Sequence, residues 1–495
     1  MVIPKKNREG ETRTSPFQIK IGIDTKKIQE IDKMKNSMLY LSRYACFFNR
    51  SPTIACYHSL RMMPVYIPET LFPLIKNFES GNCVEVQISL VDSDKKEELL
   101  KIIEALKEAR ILIKDPAEDE KAIDYFKNLL GKPYPHLAYF ILTDECNFRC
   151  KYCFVKNQNP SGKMTMDIAM KGLDFFCKLI QEDSKQFDLE KTIVFYGGEP
   201  LVNWTVLNAL LDKIRLLIEN GKLPKKTTLN MVTNGSLLTY EIAKKLKNHN
   251  VQVSISIDGD DSATNTNRVY ANGMPVYQDI KRGFQICKDA GMNIGASCTL
   301  SEASISDFDK TMHVLLDECE ITNLGFNLII TGDGKTNKEY NERAAKFIID
   351  AFKIFRKKGV YEDRIMRKAN AFVNRTVWPF DCGATGGNQI VVAPDGDIGV
   401  CHGFTPQKKY FPTNVYDNNF DIKTDATFAE WSMRSPINMP ECQNCPALGI
   451  CGGGCPFQAE IEEGSIWALD KRFCVHAKMT LEWLIWDLLD QMQTT

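Results

Sequence analysis

Residues 146–153 read CNFRCKYC, so Cys146, Cys150 and Cys153 stand at C-x3-C-x2-C spacing just before Phe154. Three thiolates this close can hold a metal centre, yet alone they complete neither a tetrahedral zinc site nor a four-iron cluster. A second series lies far downstream. Cys382 stands alone, Gly396 begins a G-x4-C that ends at Cys401, Cys442, Cys445, Cys451 and Cys455 follow at C-x2-C-x5-C-x3-C, and Cys474 comes last. In a reducing compartment disulfides are rare, so clustered cysteines read as metal ligands or catalytic thiols. The remaining seven, Cys46, Cys56, Cys83, Cys177, Cys287, Cys298 and Cys319, sit among apolar neighbours and read as small buried hydrophobes.

The default compartment is the cytoplasm. The N-terminus carries charge but no apolar h-region, and no run approaches the length of a membrane span. With 25% charged residues, 44% apolar residues and a formal net charge of -1, the composition is that of a soluble globular protein. That balance gives no global field for nucleic acid or an anionic membrane. A length of 495 residues suggests about three domains.

The elements that must position the cysteines follow from periodicity. Residues 1–35 are polar, lysine-rich and read as a mobile lead-in. Over 36–132, TIACYHSL and MPVYIP predict a strand pair, ETLFPLIKNF and KKEELLKIIEALKEA predict helices, and ILIKD predicts a last strand, an order that suggests a winged-helix-like unit. From 133 to 335 the runs LAYFILTD, TIVFYGG, TTLNMVTNG, VQVSISIDG, NIGASCTL and LGFNLII alternate with helical segments such as WTVLNALLDKIRLLIENG. Repeated βα units imply a parallel sheet whose ligand site gathers at the C-terminal strand ends. CNFRCKYC follows the first of these strands, and Gly197-Gly198-Glu199-Pro200 follows the second. Residues 336–380 read as a bridging helical region and 381–495 as a cysteine-rich C-terminal domain.

C-x3-C-x2-C after the first strand, with Tyr152 before the last cysteine and GGEP after the second strand, resembles the radical S-adenosylmethionine enzymes. The resemblance implies an α/β fold with a partial (β/α)6 barrel. It also implies a [4Fe-4S] cluster on Cys146, Cys150 and Cys153 whose fourth iron takes S-adenosylmethionine. By the same resemblance Tyr152 borders the adenine, Gly198 with Glu199 receives the methionine ammonium, and Gly197 beside them belongs to the cofactor-binding stretch. Thr233, Asn234 and Ser256 touch ribose or carboxylate, and Arg268 reaches the carboxylate, although Thr, Asn and Ser at strand ends also cap helices. The later cysteines resemble the SPASM extension, which holds two auxiliary [4Fe-4S] clusters. Its pattern places Cys442, Cys445, Cys451 and Cys474 on the outer cluster and Cys382, Cys401 and Cys455 on the inner one.

One inner iron is then left for His402, for another segment or for a substrate thiolate. Sulfatase-maturing relatives have a further cysteine between the equivalents of Cys382 and Cys401 and a carboxylate where His402 stands, and this chain departs from both. Asp258, Asp395 and Asp397 lie near expected site loops but also fit ordinary turns, so none is named as a general base.

The N-terminal unit resembles the recognition element with which peptide maturases capture a leader. The expected activity is modification of a ribosomally made precursor peptide, joining a Cys thiol to a peptide carbon as a thioether. Alternatives are another radical cross-link or oxidation, sulfatase maturation, or a non-catalytic iron-sulfur electron carrier. The expected partners are a precursor peptide with its leader and an electron donor such as flavodoxin or ferredoxin.

Overall fold

The six β-branched, apolar runs of the central region become six parallel strands. A computed structural model describes residues 37–153, 162–182, 187–330 and 337–494; the expected lead-in, 1–35, lies outside the described residues. The N-terminal unit contributes β1 (Met38–Leu41), β2 (Ala45–Arg50), β3 (Thr53–His58), β4 (Val65–Pro68), β5 (Asn82–Cys83) and β6 (Leu112–Ile113). The central strands are β7 (Leu137–Ile141), β8 (Lys191–Tyr196), β9 (Thr227–Thr233), β10 (Val251–Ser256), β11 (Ile294–Leu300) and β12 (Asn323–Leu328). Four short strands complete the set: β13 (Tyr361–Glu362), β14 (Gln389–Val392), β15 (Asp397–Gly399) and β16 (Thr413–Asn414).

One ten-stranded sheet runs β13-β12-β11-β10-β9-β8-β7-β14-β15-β16. From β7 to β12 the spatial order follows the chain. The sheet does not stop at the C-terminal region: β14 pairs in parallel with β7, Gln389 opposite Leu137 and Val392 opposite Phe140. Residues just beyond Cys382 are thereby fixed beside the strand that leads to Cys146.

Helix Met166–Gln181 shows how sequence drives this packing. Thr165 caps it by accepting from the Ile168 N–H at 3.3 Å, and Ala169, Leu173, Phe176 and Ile180 are all buried at helical spacing. Burying each of the larger side chains contributes about 1.5–3 kcal/mol. Gly172 lets the helix approach β14, since a Cβ there would lie 2.8 Å from Val392 Cγ1.

In the N-terminal unit, β2-β3-β4 form one antiparallel sheet and β5-β1-β6 another. Tyr57 of β3 stacks on Phe372 with ring centroids 6.2 Å apart, and shares a buried core with Leu448, Ile450, Cys451 and Leu481 of the C-terminal region. Tyr66 donates to the Ile485 carbonyl at 2.5 Å. Helices Lys338–Lys358 and Asp363–Asn374 both pack on helix Lys471–Thr494, and no described helix is long and apolar enough to cross a membrane.

Candidate active site

A cavity of about 970 Å³ opens at the C-terminal ends of β7 to β12. It is lined by Cys146, Cys150 and Cys153 on one side and by Cys382, Cys401 and Cys455 on another. The loop after β8 is locked to the cysteine loop by main-chain bonds. Gly198 N–H donates to the Thr143 carbonyl at 2.8 Å and Glu199 N–H to the Glu145 carbonyl at 2.9 Å. Glycine is required here: a Cβ on Gly197, at φ +146, would lie 2.4 Å from Thr143 O, and one on Gly198 would lie 2.3 Å from Glu145 O.

Glu199 is buried, and its carboxylate joins the loop after β8 to the end of β9. It accepts from Thr233 Oγ1 at 2.7 Å, from Asn234 N at 2.7 Å and from Leu201 N at 3.1 Å. Burial pushes its carboxyl up to about 7, against the pull of those hydrogen bonds. Asn234 in turn reaches Cys146 Sγ at 3.9 Å and Asn147 Oδ1 at 2.8 Å, and the Phe148 N–H points at the same sulfur at 3.4 Å. Ser256, at the end of β10, lines the cavity with Thr233 and Asn234.

Tyr152 and Arg268 meet on a residue that the sequence left as a turn. Tyr152 donates to Asp258 Oδ2 at 2.5 Å, and Arg268 grips the same carboxylate through Nε at 3.0 Å and Nη2 at 3.0 Å. The Thr299 N–H adds a further bond at 3.1 Å, and the guanidinium lies 5.4 Å from the centre of the Tyr152 ring. Arg268 thus lines the cavity already paired, as an organiser of Tyr152. The spacing of Asp258 and Arg268 carried no signal of this pairing, because a loop and a short helix intervene. Asp395 and Asp397 sit at the β14–β15 turn and bind Lys408, outside the cavity lining.

Between the two cysteine groups stands an aromatic wall. The His402 ring stacks on Tyr139 at 4.9 Å and 23° and meets Tyr196 edge-on at 5.1 Å. Burial lowers the His402 imidazole to about 4, keeping it neutral. Tyr139 and Tyr196 were missed from sequence because aromatic residues in strands read first as core.

The clustered cysteines assemble as three groups whose charges act on one another. Cys146 faces Cys150 and Cys153. Cys401 faces Cys455 and Cys382, and Cys474 faces Cys451, Cys442 and Cys445. Burial pushes Cys146 and Cys474 to about 12 and Cys455 to about 11, so an opposing positive charge is needed to hold them as thiolates. Among the described residues, no three His, Cys, Asp or Glu side chains converge on a point that would hold one metal ion. Of the scattered cysteines, Cys56, Cys177, Cys287, Cys298 and Cys319 are buried as expected, whereas Cys46 and Cys83 are half-buried.

Comparison with known proteins defines the class. Residues 140–315 match the radical SAM superfamily, so the chain carries a radical S-adenosylmethionine domain over that stretch. Over 364 residues, 70% of this chain and 73% of the relative, it is 26% identical to the radical SAM cyclopropyl synthase TigE of Paramaledivibacter caminithermalis. The solved structure of anSMEcpe with bound AdoMet shares the fold at a TM-score of 0.61 and 19% identity, covering 73% of this chain and 96% of that one. Streptococcus suis SuiB bound to its precursor peptide SuiA matches at 0.50 and 14% identity, covering 88% and 99%.

Proposed function

We propose that this enzyme modifies a ribosomally made precursor peptide by radical hydrogen abstraction and oxidative cross-linking, joining a substrate Cys thiol to a peptide carbon. One observation carries the reading: the Cys382, Cys401 and Cys455 group opens into the same cavity as Cys146, Cys150 and Cys153. Cys146, Cys150 and Cys153 would hold a [4Fe-4S] cluster with S-adenosylmethionine, which supplies the hydrogen-abstracting radical when bound. Cys382, Cys401 and Cys455 would hold an inner auxiliary cluster, and Cys442, Cys445, Cys451 and Cys474 an outer one. Three inner ligands leave one iron for a substrate thiolate, which the metal would orient and keep deprotonated. The residues of this chain do the rest. Gly197, Gly198 and Glu199 would receive the ammonium, Thr233, Asn234 and Ser256 would serve the ribose and carboxylate, and Tyr152, fixed by Asp258 and Arg268, would border the adenine. The stacked rings of Tyr139, His402 and Tyr196 would shield the space between the two groups from water.

The N-terminal unit is read as a winged-helix-like leader-binding element. β4 is an edge strand, and a cleft of about 500 Å³ lies between it and helix Lys96–Glu108, lined by Val65, Tyr66, Glu97, Glu98 and Ile102. An extended leader would add to this edge through main-chain bonds. Reducing equivalents would come from a flavodoxin or ferredoxin, with the enzyme working in the cytoplasm.

The relation to a cyclopropyl synthase favours a second reading, carbon–carbon bond formation. Anaerobic incubation of reconstituted enzyme with S-adenosylmethionine, reductant and the peptide encoded beside its gene, followed by thiol alkylation and mass spectrometry, separates the two. Loss of two hydrogens with a blocked cysteine supports the thioether. The same loss with the cysteine still alkylatable supports the carbon–carbon bond, and an unchanged peptide contradicts both.

A further inference from the structure

Arg434 is fully buried, yet its guanidinium makes no ion pair among the described residues. Its hydrogen bonds all go to main-chain carbonyls. Nε donates to Ile466 O, Nη1 to Gly453 O at 3.0 Å and Gly454 O at 3.3 Å, and Nη2 to Ala468 O at 3.3 Å. Gly453 and Gly454 belong to the Gly452–Gly454 turn, at φ +75, +87 and +70, which joins Cys451 of one cysteine group to Cys455 of the next. The cation therefore sits at the seam between the two groups.

Nearby charge does not balance it. Asp470 is held by Arg472 at 2.8 Å, and Asp381 lies between Arg364 at 3.5 Å and Arg367 at 3.9 Å. Lys368 is also buried, 5.9 Å from the Phe473 ring. Burial lowers the Arg434 guanidinium from its usual range, while Cys382, Cys455, Asp470 and Cys451 pull it back up, in that order. Carbonyl dipoles satisfy its N–H groups but leave its net charge uncompensated, and a buried charge without a counter-charge is strongly destabilising. Thiolate-bound iron-sulfur clusters carry negative charge and, held by Cys451 and Cys455 on either side of this turn, would stand where it is needed.

We propose that Arg434 is a positioning and counter-charge residue shared by the two auxiliary cysteine groups, holding the turn between them and raising the reduction potentials of both clusters. The inference rests on the reading that these cysteines bind clusters. A fixed cation stabilises the more negative, reduced cluster, so its removal makes reduction harder.

The test uses the full chain with Cys146, Cys150 and Cys153 all changed to Ala, so that any iron bound is auxiliary. Iron and sulfide per chain and an EPR-monitored redox titration are compared for this parent and for the same chain carrying Arg434→Gln or Arg434→Lys. The expected result is two clusters in the parent, lower midpoint potentials for both with Arg434→Gln, and potentials near the parent's with Arg434→Lys. Should Arg434→Gln not fold, Arg434→Lys decides alone: retained clusters with unmoved potentials support the proposal, and retained clusters with lowered potentials overturn it. Equal behaviour of Gln and Lys also overturns it, as a mere spacer role for the turn would predict. An iron-free parent would instead refute the auxiliary clusters themselves.

Discussion

Glu199 illustrates how a residue's type can be plain while its task is not. GGEP marked it as a cofactor contact, but the carboxylate spans the ends of β8 and β9 through Thr233 and Asn234. Its carboxyl stands at about 7 without ligand, above the ordinary range of about 4.3. A positively charged ammonium favours the ionised form. S-adenosylmethionine should therefore bind more tightly as pH rises through about 7 and level off above it. Anaerobic equilibrium dialysis across this range should show that slope in the wild type and a flat, weaker profile in Glu199→Gln. Asp258 was unreadable for the opposite reason, since a strand-end Asp in SIDG looks like any turn. Asp258→Ala would leave buried Arg268 uncompensated, which costs about 3–5 kcal/mol. Thermal unfolding should show that loss, whereas a change of less than about 1 kcal/mol would place Asp258 among merely local turn residues.

Elements were legible where apolar periodicity is long. All six central strands and the helices Met166–Gln181, Trp204–Glu219 and Tyr277–Asp289 fall on the runs that predicted them. The two-residue strands β5, β13 and β16 carry too little pattern to be seen, whereas β6 falls on the ILIKD run that predicted it; β14 gave no hint that it would pair with β7, because long-range parallel pairing leaves no local mark. The junction that matters most is the one between β8 and the cysteine loop. Gly198→Ala would drive a methyl group into Glu145 O and separate the two loops. Such a variant should fold, keep its far-ultraviolet dichroism and lose the iron attributable to Cys146, Cys150 and Cys153; iron content equal to wild type would contradict this account of the junction.

At the scale of the whole molecule, the N-terminal unit is anchored to the C-terminal helix Lys471–Thr494. Tyr66 bonds Ile485 O, and Arg50 pairs with Asp490 while lying 4.5 Å from the Trp486 ring. Sequence patterning suggested such a unit but not where it docks, since docking depends on side chains 400 positions apart meeting across a shared core. The cleft beside β4 carries Asp94, Glu97 and Glu98 against Lys101, so it should prefer a leader with basic residues. Changing Glu97 and Glu98 together to Lys should weaken leader binding at least tenfold in fluorescence anisotropy at low salt and leave cluster content untouched.

The central claim is that a peptide carbon loses its hydrogen in the cavity between Cys146, Cys150 and Cys153 and Cys382, Cys401 and Cys455. It is tested most directly by turnover with a precursor peptide deuterated on its Cα and side-chain carbons. The account predicts deuterium in the 5'-deoxyadenosine formed, together with a peptide lighter by one deuterium and one proton. Unlabelled 5'-deoxyadenosine alongside an unmodified peptide would contradict it.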